Sequence, residues 1–348
     1  MTASLILTGD VNLLNVTDPA VPFARVRAGF SAASLVFGNL ECCLHAPAGG
    51  HSFHNEGFYA APGPGGEALR AAGFAAVGIA NNVNYGEAAI LDSVARLDAL
   101  GIAHTGAGHN AAAAGAPAIL TRDGVRFGFL QRSAVYWPTN HEAGPETTGI
   151  AVLRAHTAWQ VPMHKTRPEI PPLNRPGLPP IVRTWADRDS LRAFTDDIAR
   201  LRGQTDVVVA SCHWGLGKDV LEYMTETAHA AIDAGAEVVI GHGPHVALPV
   251  AFHRGKPIFY GLGSFSFHTG HGGRAHGDWV GMMARVVFEA GRVAGAAFRF
   301  VRHNAANETV PCRPADEAEA LDALAAASAG LGAVLRPGEE WVAVEPAG

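Results

Sequence analysis

The 348-residue chain suffices for one large or two ordinary domains, and 48% hydrophobic with 17% charged residues describes a globular chain with a sizeable core, which excludes a disordered protein. A formal net charge of −6 without any Lys/Arg-rich run argues against a nucleic-acid partner. No apolar run approaches the ~18 residues that span a bilayer, and the N-terminal Met-Thr-Ala-Ser-Leu lacks a basic signal-peptide region, so a cytoplasmic protein without membrane anchor is expected.

Short β-branched runs alternate with Ala-rich segments, the pattern of strands joined by helices, so the fold class expected is α/β. Leu5 to Thr8 reads as a strand ending at Gly9-Asp10, and Ser34 to Phe37 as one ending at Gly38-Asn39-Leu40-Glu41. Val77 to Ala80 repeats the arrangement before Asn81-Asn82. Glu87 to Leu100 has helical spacing and stops at Gly101.

Between Arg154 and Thr184, prolines at 162, 168, 171, 172, 176, 179 and 180 forbid a long helix or central strand. Residues 154–184 therefore read as an inserted loop, and His164, Lys165 and Arg167, with Tyr136-Trp137 upstream, favour a lid over a linker.

Farther on, Val207 to Ser211 runs into Cys212-His213-Trp214-Gly215, and Glu237 to Ile240 into Gly241-His242-Gly243-Pro244-His245. Ile258 to Tyr260 precedes Gly261-Leu262-Gly263-Ser264-Phe265. Arg285 to Glu289 and Ala296 to Val301 read as antiparallel strands, and residues 315–331 as an Ala-rich surface helix, with 315–348 as C-terminal helix and tail. Residues 1–348 read as a single domain. Cys42, Cys43, Cys212 and Cys312 have no CxxC-type spacing and are expected as reduced thiols, with Cys212 beside His213 an alternative outer-shell group.

Metal-binding side chains recur just after strands, where an open α/β sheet gathers its site. Alone, an Asp after Gly is a turn or cap and a His is a structural histidine; on separate strands together they point to a site. Asp10 and Glu41 offer carboxylate oxygens, Asn82 a carbonyl oxygen, and His213, His242 and His245 imidazole nitrogens. Six ligands exceed one tetrahedral ion, so two divalent ions about 3.5 to 4 Å apart are expected, with a mononuclear centre the alternative and Mn, Fe, Zn, Co, Mg and Ca not distinguished.

The ordered set Gly9-Asp10, Asn39-Leu40-Glu41, Ala80-Asn81-Asn82, His213-Trp214-Gly215, Gly241-His242-Gly243-Pro244-His245 and Tyr260-Gly261-Leu262-Gly263-Ser264-Phe265 resembles the CapA family over roughly residues 4 to 300. That family, named for poly-γ-glutamate capsule synthesis, resembles the calcineurin-like metallophosphoesterases, which implies a two-sheet β-sandwich flanked by helices around two metals. Carried over, Asp10 and His245 would hold one ion, Asn82, His213 and His242 the other, and Glu41 would bridge them or lie beside them. Asn12 stands where the metallophosphoesterases place a histidine, as a weak ligand or substrate contact.

Two departures matter. Val83 occupies the position where the family has a histidine, and a valine moves no proton, which disfavours phosphomonoester hydrolysis. The chain also begins almost at its first core strand, whereas capsule-synthesis members resemble membrane-attached proteins, so a role in an extracellular polymer is disfavoured.

What remains is chemistry beside a polarised carbonyl or carboxylate, the reaction of a racemase or epimerase. Proton donors and acceptors on both faces of the carbon would come from Asp10, His268, His271 and His276, and substrate contacts from Asn12, Trp137, Lys165 and Arg274. A peptide or polyglutamate-like substrate follows, and the family resemblance permits an isomerase acting on a peptide residue, as in a lasso-peptide epimerase. A metal-dependent hydrolase of an amide or phosphoester and a polyglutamate-binding protein are the alternatives.

Overall fold

Alternation along the Thr2–Asn12 strand sends Leu5 and Leu7 to one face and Ile6 to the other, so the strand is buried on both sides. Leu35–Leu40, Ala76–Gly78 and Ala103–Thr105 extend the sheet in parallel on one side. Gly281–Glu289 and Arg292–His303 extend it antiparallel on the other. Helices Arg27–Ser31, Pro62–Ala72 and Glu87–Leu100 cover its outer face through Phe30, Leu69, Ile90 and Leu97. The structure is a computed structural model that describes residues 2–47, 58–161, 163, 164, 169, 173, 174, 177–270 and 274–348.

A second sheet is built on the parallel strands Val125–Ser133, Val207–His213, Val238–His242 and Lys256–Leu262. Its odd positions, Val207 and Val209, join one apolar cluster with Leu5 and Leu7 of the first sheet. Val208 and Ala210 face helices Arg188–Arg202 and Glu222–Asp233. Phe37 and Phe129 stack across the two sheets with ring centroids 4.8 Å apart and planes 4° from parallel. Truncating either to Ala would cost roughly 3–5 kcal/mol from lost burial and the cavity left behind. With four two-stranded ribbons besides these sheets among the described residues, the fold is α/β with several mixed sheets.

The chain leaves the second sheet at Leu262 and enters the first at Ser264, which lies opposite Asp10. Gly263 makes the transfer in a left-handed conformation, φ +70°, and its carbonyl accepts the Asp10 N–H at 2.8 Å. A Cβ on Gly9 would stand 1.9 Å from that oxygen. The glycines of these motifs thus bring the two sheets together where the polar residues gather.

Helix Glu87–Leu100 has the bounds read from the sequence, and Gly101 closes it at φ +68°. Strands form at each motif with shifted bounds: Val207–His213 and Lys256–Leu262 extend the expected runs, whereas Ala76–Gly78 stops two residues short of the expected end at Ala80. The C-terminal region differs from a helix and tail: after Ala318–Ala329, strands Ala333–Pro337 and Val342–Pro346 pair with each other, and the latter joins the large sheet beside Arg292–His303. At the insert, Ala155–Gln160 and Ile181–Ala186 form an antiparallel ribbon. Glu222 and Glu226 hold it on the Glu222–Asp233 helix by accepting the N–H groups of Thr184 and Ala186 at 3.0 and 2.8 Å. No helix among the described residues is long and apolar enough to cross a membrane.

Candidate metal centre

Parallel strands deliver their carboxyl ends to one edge of a sheet. Asp10 lies two residues before the end of the Thr2–Asn12 strand, at an irregularity in its pairing, and Glu41 directly follows Leu35–Leu40, while His213 and His242 end adjacent strands of the second sheet in register with each other. His245 lies three residues beyond. One ligand atom from each of Asp10, Glu41 and His245 lies within 4.8 Å of the others, a grouping that fits a metal ion. His242 Nδ1 stands 3.4 Å from Asp10 Oδ1, and His213 Nε2 stands 3.8 Å from Glu41 Oε1.

Two carboxylates this close and almost wholly buried repel strongly unless positive charge or N–H donors face them. Asn39 supplies part of the answer. Its Nδ2 donates to Asp10 Oδ1 at 2.9 Å and to Glu41 Oε2 at 3.1 Å. Its Oδ1 accepts from Asn81 Nδ2 at 3.1 Å and Gln131 Nε2 at 3.0 Å, which fixes the amide orientation. His245 supplies the rest, with Nδ1 3.1 Å from Asp10 Oδ2 and Nε2 3.4 Å from Glu41 Oε1.

Titration follows this geometry. Burial pushes the Asp10 carboxyl up, but hydrogen bonding and charge from His242 and His245 outweigh it and hold the group well below the usual carboxylate range. Burial and repulsion from Asp10 raise the Glu41 carboxyl. Burial works against a charged His245, yet Glu41 and Asp10 raise its imidazole to about 9.

The imidazoles suit a cation. The single Ser133 hydroxyl proton goes to Val135 O at 2.6 Å, so its oxygen accepts from His213 Nδ1 at 3.1 Å. His213 is then the Nδ1–H tautomer with the Nε2 lone pair directed toward Glu41, the arrangement in which an outer hydrogen bond readies a histidine for a metal. Among the described residues His213 Nε2, both ring nitrogens of His242 and His245 Nδ1 are buried without a hydrogen bond of good geometry, although His242 Nδ1 and His245 Nδ1 stand 3.4 and 3.1 Å from the Asp10 carboxylate. Such nitrogens around two buried carboxylates fit the donor set that a divalent ion with mixed nitrogen and oxygen ligands requires. His245 also adopts φ +59°, strained for a non-glycine residue, which is a mark of functional positions.

Other expected residues fall in different places. Asn82 lies in the loop after Ala76–Gly78, and its backbone carbonyl accepts Trp137 Nε1 at 2.9 Å. Val83 is buried in the apolar core, so no proton-transfer group stands at that position. Trp137 is 55% exposed beside Asn82. The His276 ring lies 5.1 Å from that of His245 and 4.3 Å from that of Phe267. His268 instead packs against His303 at 5.7 Å, with Nδ1 3.2 Å from Thr269 Oγ1. The exposed Arg274 sits in the same loop, its carbonyl accepting Gly270 N–H at 2.8 Å. His271 and Lys165 lie outside the described residues.

Asn12, expected as a weak ligand or substrate contact, anchors a loop. It is buried, its Nδ2 donates to Thr269 O at 3.0 Å, and its Oδ1 accepts Leu14 N–H at 2.8 Å, so both ends of the amide are committed to backbone. Sequence reasoning missed four residues: Asn39, Gln131, Ser133 and His141. Gln131 and Ser133 end the Val125–Ser133 strand, the same strand-end signal that marked the other site residues. Buried His141 accepts Trp137 N–H through Nδ1 and donates through Nε2 to Asn84 O, each at 3.0 Å, which clasps the Asn82 loop. Burial pulls its imidazole down to about 4.

Comparison with known proteins adds a family. A family model described as bacterial capsule synthesis protein PGA_cap matches residues 4–269. The PGA biosynthesis protein CapA of Bacillus subtilis is 38% identical over 79 residues, 22% of this chain and 21% of that protein. A probable polyglutamine synthesis accessory protein of Mycobacterium tuberculosis is 30% identical over 194 residues, 53% of this chain and 43% of that protein. An uncharacterized protein of Sinorhizobium fredii is 26% identical over 310 residues, 76% of this chain and 66% of that protein. The matches thus span from about a fifth to two thirds of these relatives' lengths.

Proposed function

The chain belongs to the bacterial capsule synthesis protein PGA_cap family, and from that premise we propose a divalent-metal-dependent enzyme that epimerises a peptide residue at Cα. The observation that carries the metal part is the buried pair Asp10 and Glu41 surrounded by unpartnered nitrogens of His213, His242 and His245. Under this reading Asp10, Glu41, Asn82, His213, His242 and His245 hold two ions in a calcineurin-like arrangement of the two large sheets. Such ions would polarise a substrate carbonyl or carboxylate and make its neighbouring Cα–H acidic.

The protein's own groups then handle the proton. His276, whose ring lies against His245, is the proposed base or acid on one face of the carbon. His271 or His268 from the same loop, or Asp10 if loosely held, is the candidate for the other face. Buried Val83 supports this choice over phosphomonoester hydrolysis, because it offers no proton to a leaving oxygen. Trp137, with its indole N–H fixed on Asn82 and its ring half exposed, supports a peptide substrate, with Lys165 and Arg274 as proposed carboxylate contacts. The setting we propose is cytoplasmic.

The test is incubation of metal-loaded protein in deuterated water with short α-peptides and γ-linked glutamate oligomers, read by mass spectrometry. Deuterium at Cα in uncleaved peptide is the expected result. New termini would replace this reading with a metallohydrolase, and retained oligomer without exchange or cleavage would replace it with a binding protein.

A further inference from the structure

At the far end of the Thr2–Asn12 strand from Asp10, a cavity of about 380 Å³ opens on the outer face of the large sheet. Ser4, which lines it, is six residues from Asp10, roughly 20 Å along an extended strand, so the cavity is separate from the metal centre. Arg25, Arg285 and Arg299 also line it, with Glu340 and Trp341.

The strand register explains why the arginines matter. Met283 pairs with Arg299 and Arg285 with Ala297, so Arg285 and Arg299 are diagonal neighbours on one face of the sheet. Like charges so placed repel unless an anion stands between them. Arg25 is already engaged by Glu308 at 2.7 Å. Arg285 lies over the Trp341 ring, 4.4 Å from its centroid. Arg299 is largely buried and, among the described residues, pairs with Glu340 at 3.3 Å, a carboxylate that is itself 57% exposed and screened by water. The Arg299 Nε is buried and has no hydrogen-bond partner among the described residues. Arg299 and Arg285 thus line the cavity with guanidinium groups whose hydrogen-bonding capacity is only partly used, which suits an oxygen of a ligand.

We propose that this cavity binds a small oxyanion, carboxylate or phosphoryl, held by Arg285 and Arg299 against the Trp341 edge. Isothermal titration of the full chain with inorganic phosphate and, separately, with glutamate tests it. Saturable binding of either should weaken at least tenfold in Arg285→Met and in Arg299→Met, and tighten several-fold in Glu340→Gln, which removes the competing carboxylate. His242→Ala should leave it unchanged, because binding at the metal centre would be altered there. The tighter of the two anions identifies the class. If an arginine variant fails to fold by circular dichroism, Glu340→Gln decides alone. Absence of saturable heat with both anions, or an affinity indifferent to Glu340→Gln, overturns the proposal.

Discussion

Asn39 Nδ2 lies 2.9 Å from Asp10 Oδ1, and the same amide nitrogen lies 3.1 Å from Glu41 Oε2, so one neutral side chain spaces the two carboxylates. A lysine in that place would neutralise them and compete with a cation. An amide orients them and leaves their charge available.

Replacing Asn39 with Leu should therefore be severe. It removes two hydrogen bonds from buried carboxylates and takes the shared acceptor from the Asn81 and Gln131 amides, so stability should fall by about 3–5 kcal/mol. Urea unfolding measures this, and a loss below about 1 kcal/mol would show that the network is not tightly coupled.

Ser133→Ala separates histidine orientation from folding. Without its acceptor the His213 Nδ1–H tautomer is no longer favoured, and divalent-metal affinity should drop about 10- to 100-fold with a near-native fold. Competition with a fluorescent chelator reads the affinity, and wild-type binding would refute the tautomer assignment.

Gly9→Ala tests the contact between sheets. Its new Cβ would meet a backbone oxygen, Gly263 O, at 1.9 Å, and the Asp10 N–H bond to that oxygen prevents easy retreat. Destabilisation of about 3 kcal/mol or more is expected in thermal or urea unfolding. A wild-type midpoint would mean that this junction is not packed as described.

His141 gives a pH signature. Its folded-state imidazole is lowered from 6.5 to about 4, so the unfolded chain binds the proton first as pH falls. Stability from this group is full above the unfolded value and is lost between about pH 6.5 and 4, by about 3 kcal/mol at most. Wild type should lose stability relative to His141→Gln over that window. Parallel unfolding curves at pH 7.5, 6 and 5 check the slope, and a constant difference between the two proteins would place His141 in water.

Much of the site was legible because strand ends carry their own signal: apolar β-branched runs stop at His213 and His242, which do end strands, and at Asp10, where the strand continues two residues further to Asn12. Helix Glu87–Leu100 was legible because Gly101 terminates it locally. The hub role of Asn39 was not, since it arises from Gln131 on the other sheet, a contact 92 residues away. Likewise the contacts of Asn12 with Thr269 and of His268 with His303 were not legible, since they form in space and not between neighbours in a motif. The closing strands Ala333–Pro337 and Val342–Pro346 escaped because their burial alternates only weakly and the second of them joins the sheet by pairing with the distant Arg292–His303.

Metal content tests the central claim most directly. Protein loaded with Mn, Zn, Fe, Co, Mg or Ca in turn, desalted and measured by plasma mass spectrometry should retain at least about one equivalent of a preferred ion. His242→Ala and Asp10→Asn, folded by circular dichroism, should retain far less. Retention that is equal in wild type and both variants, or absent from wild type with every ion, would contradict a metal centre built on Asp10, Glu41 and the three histidines.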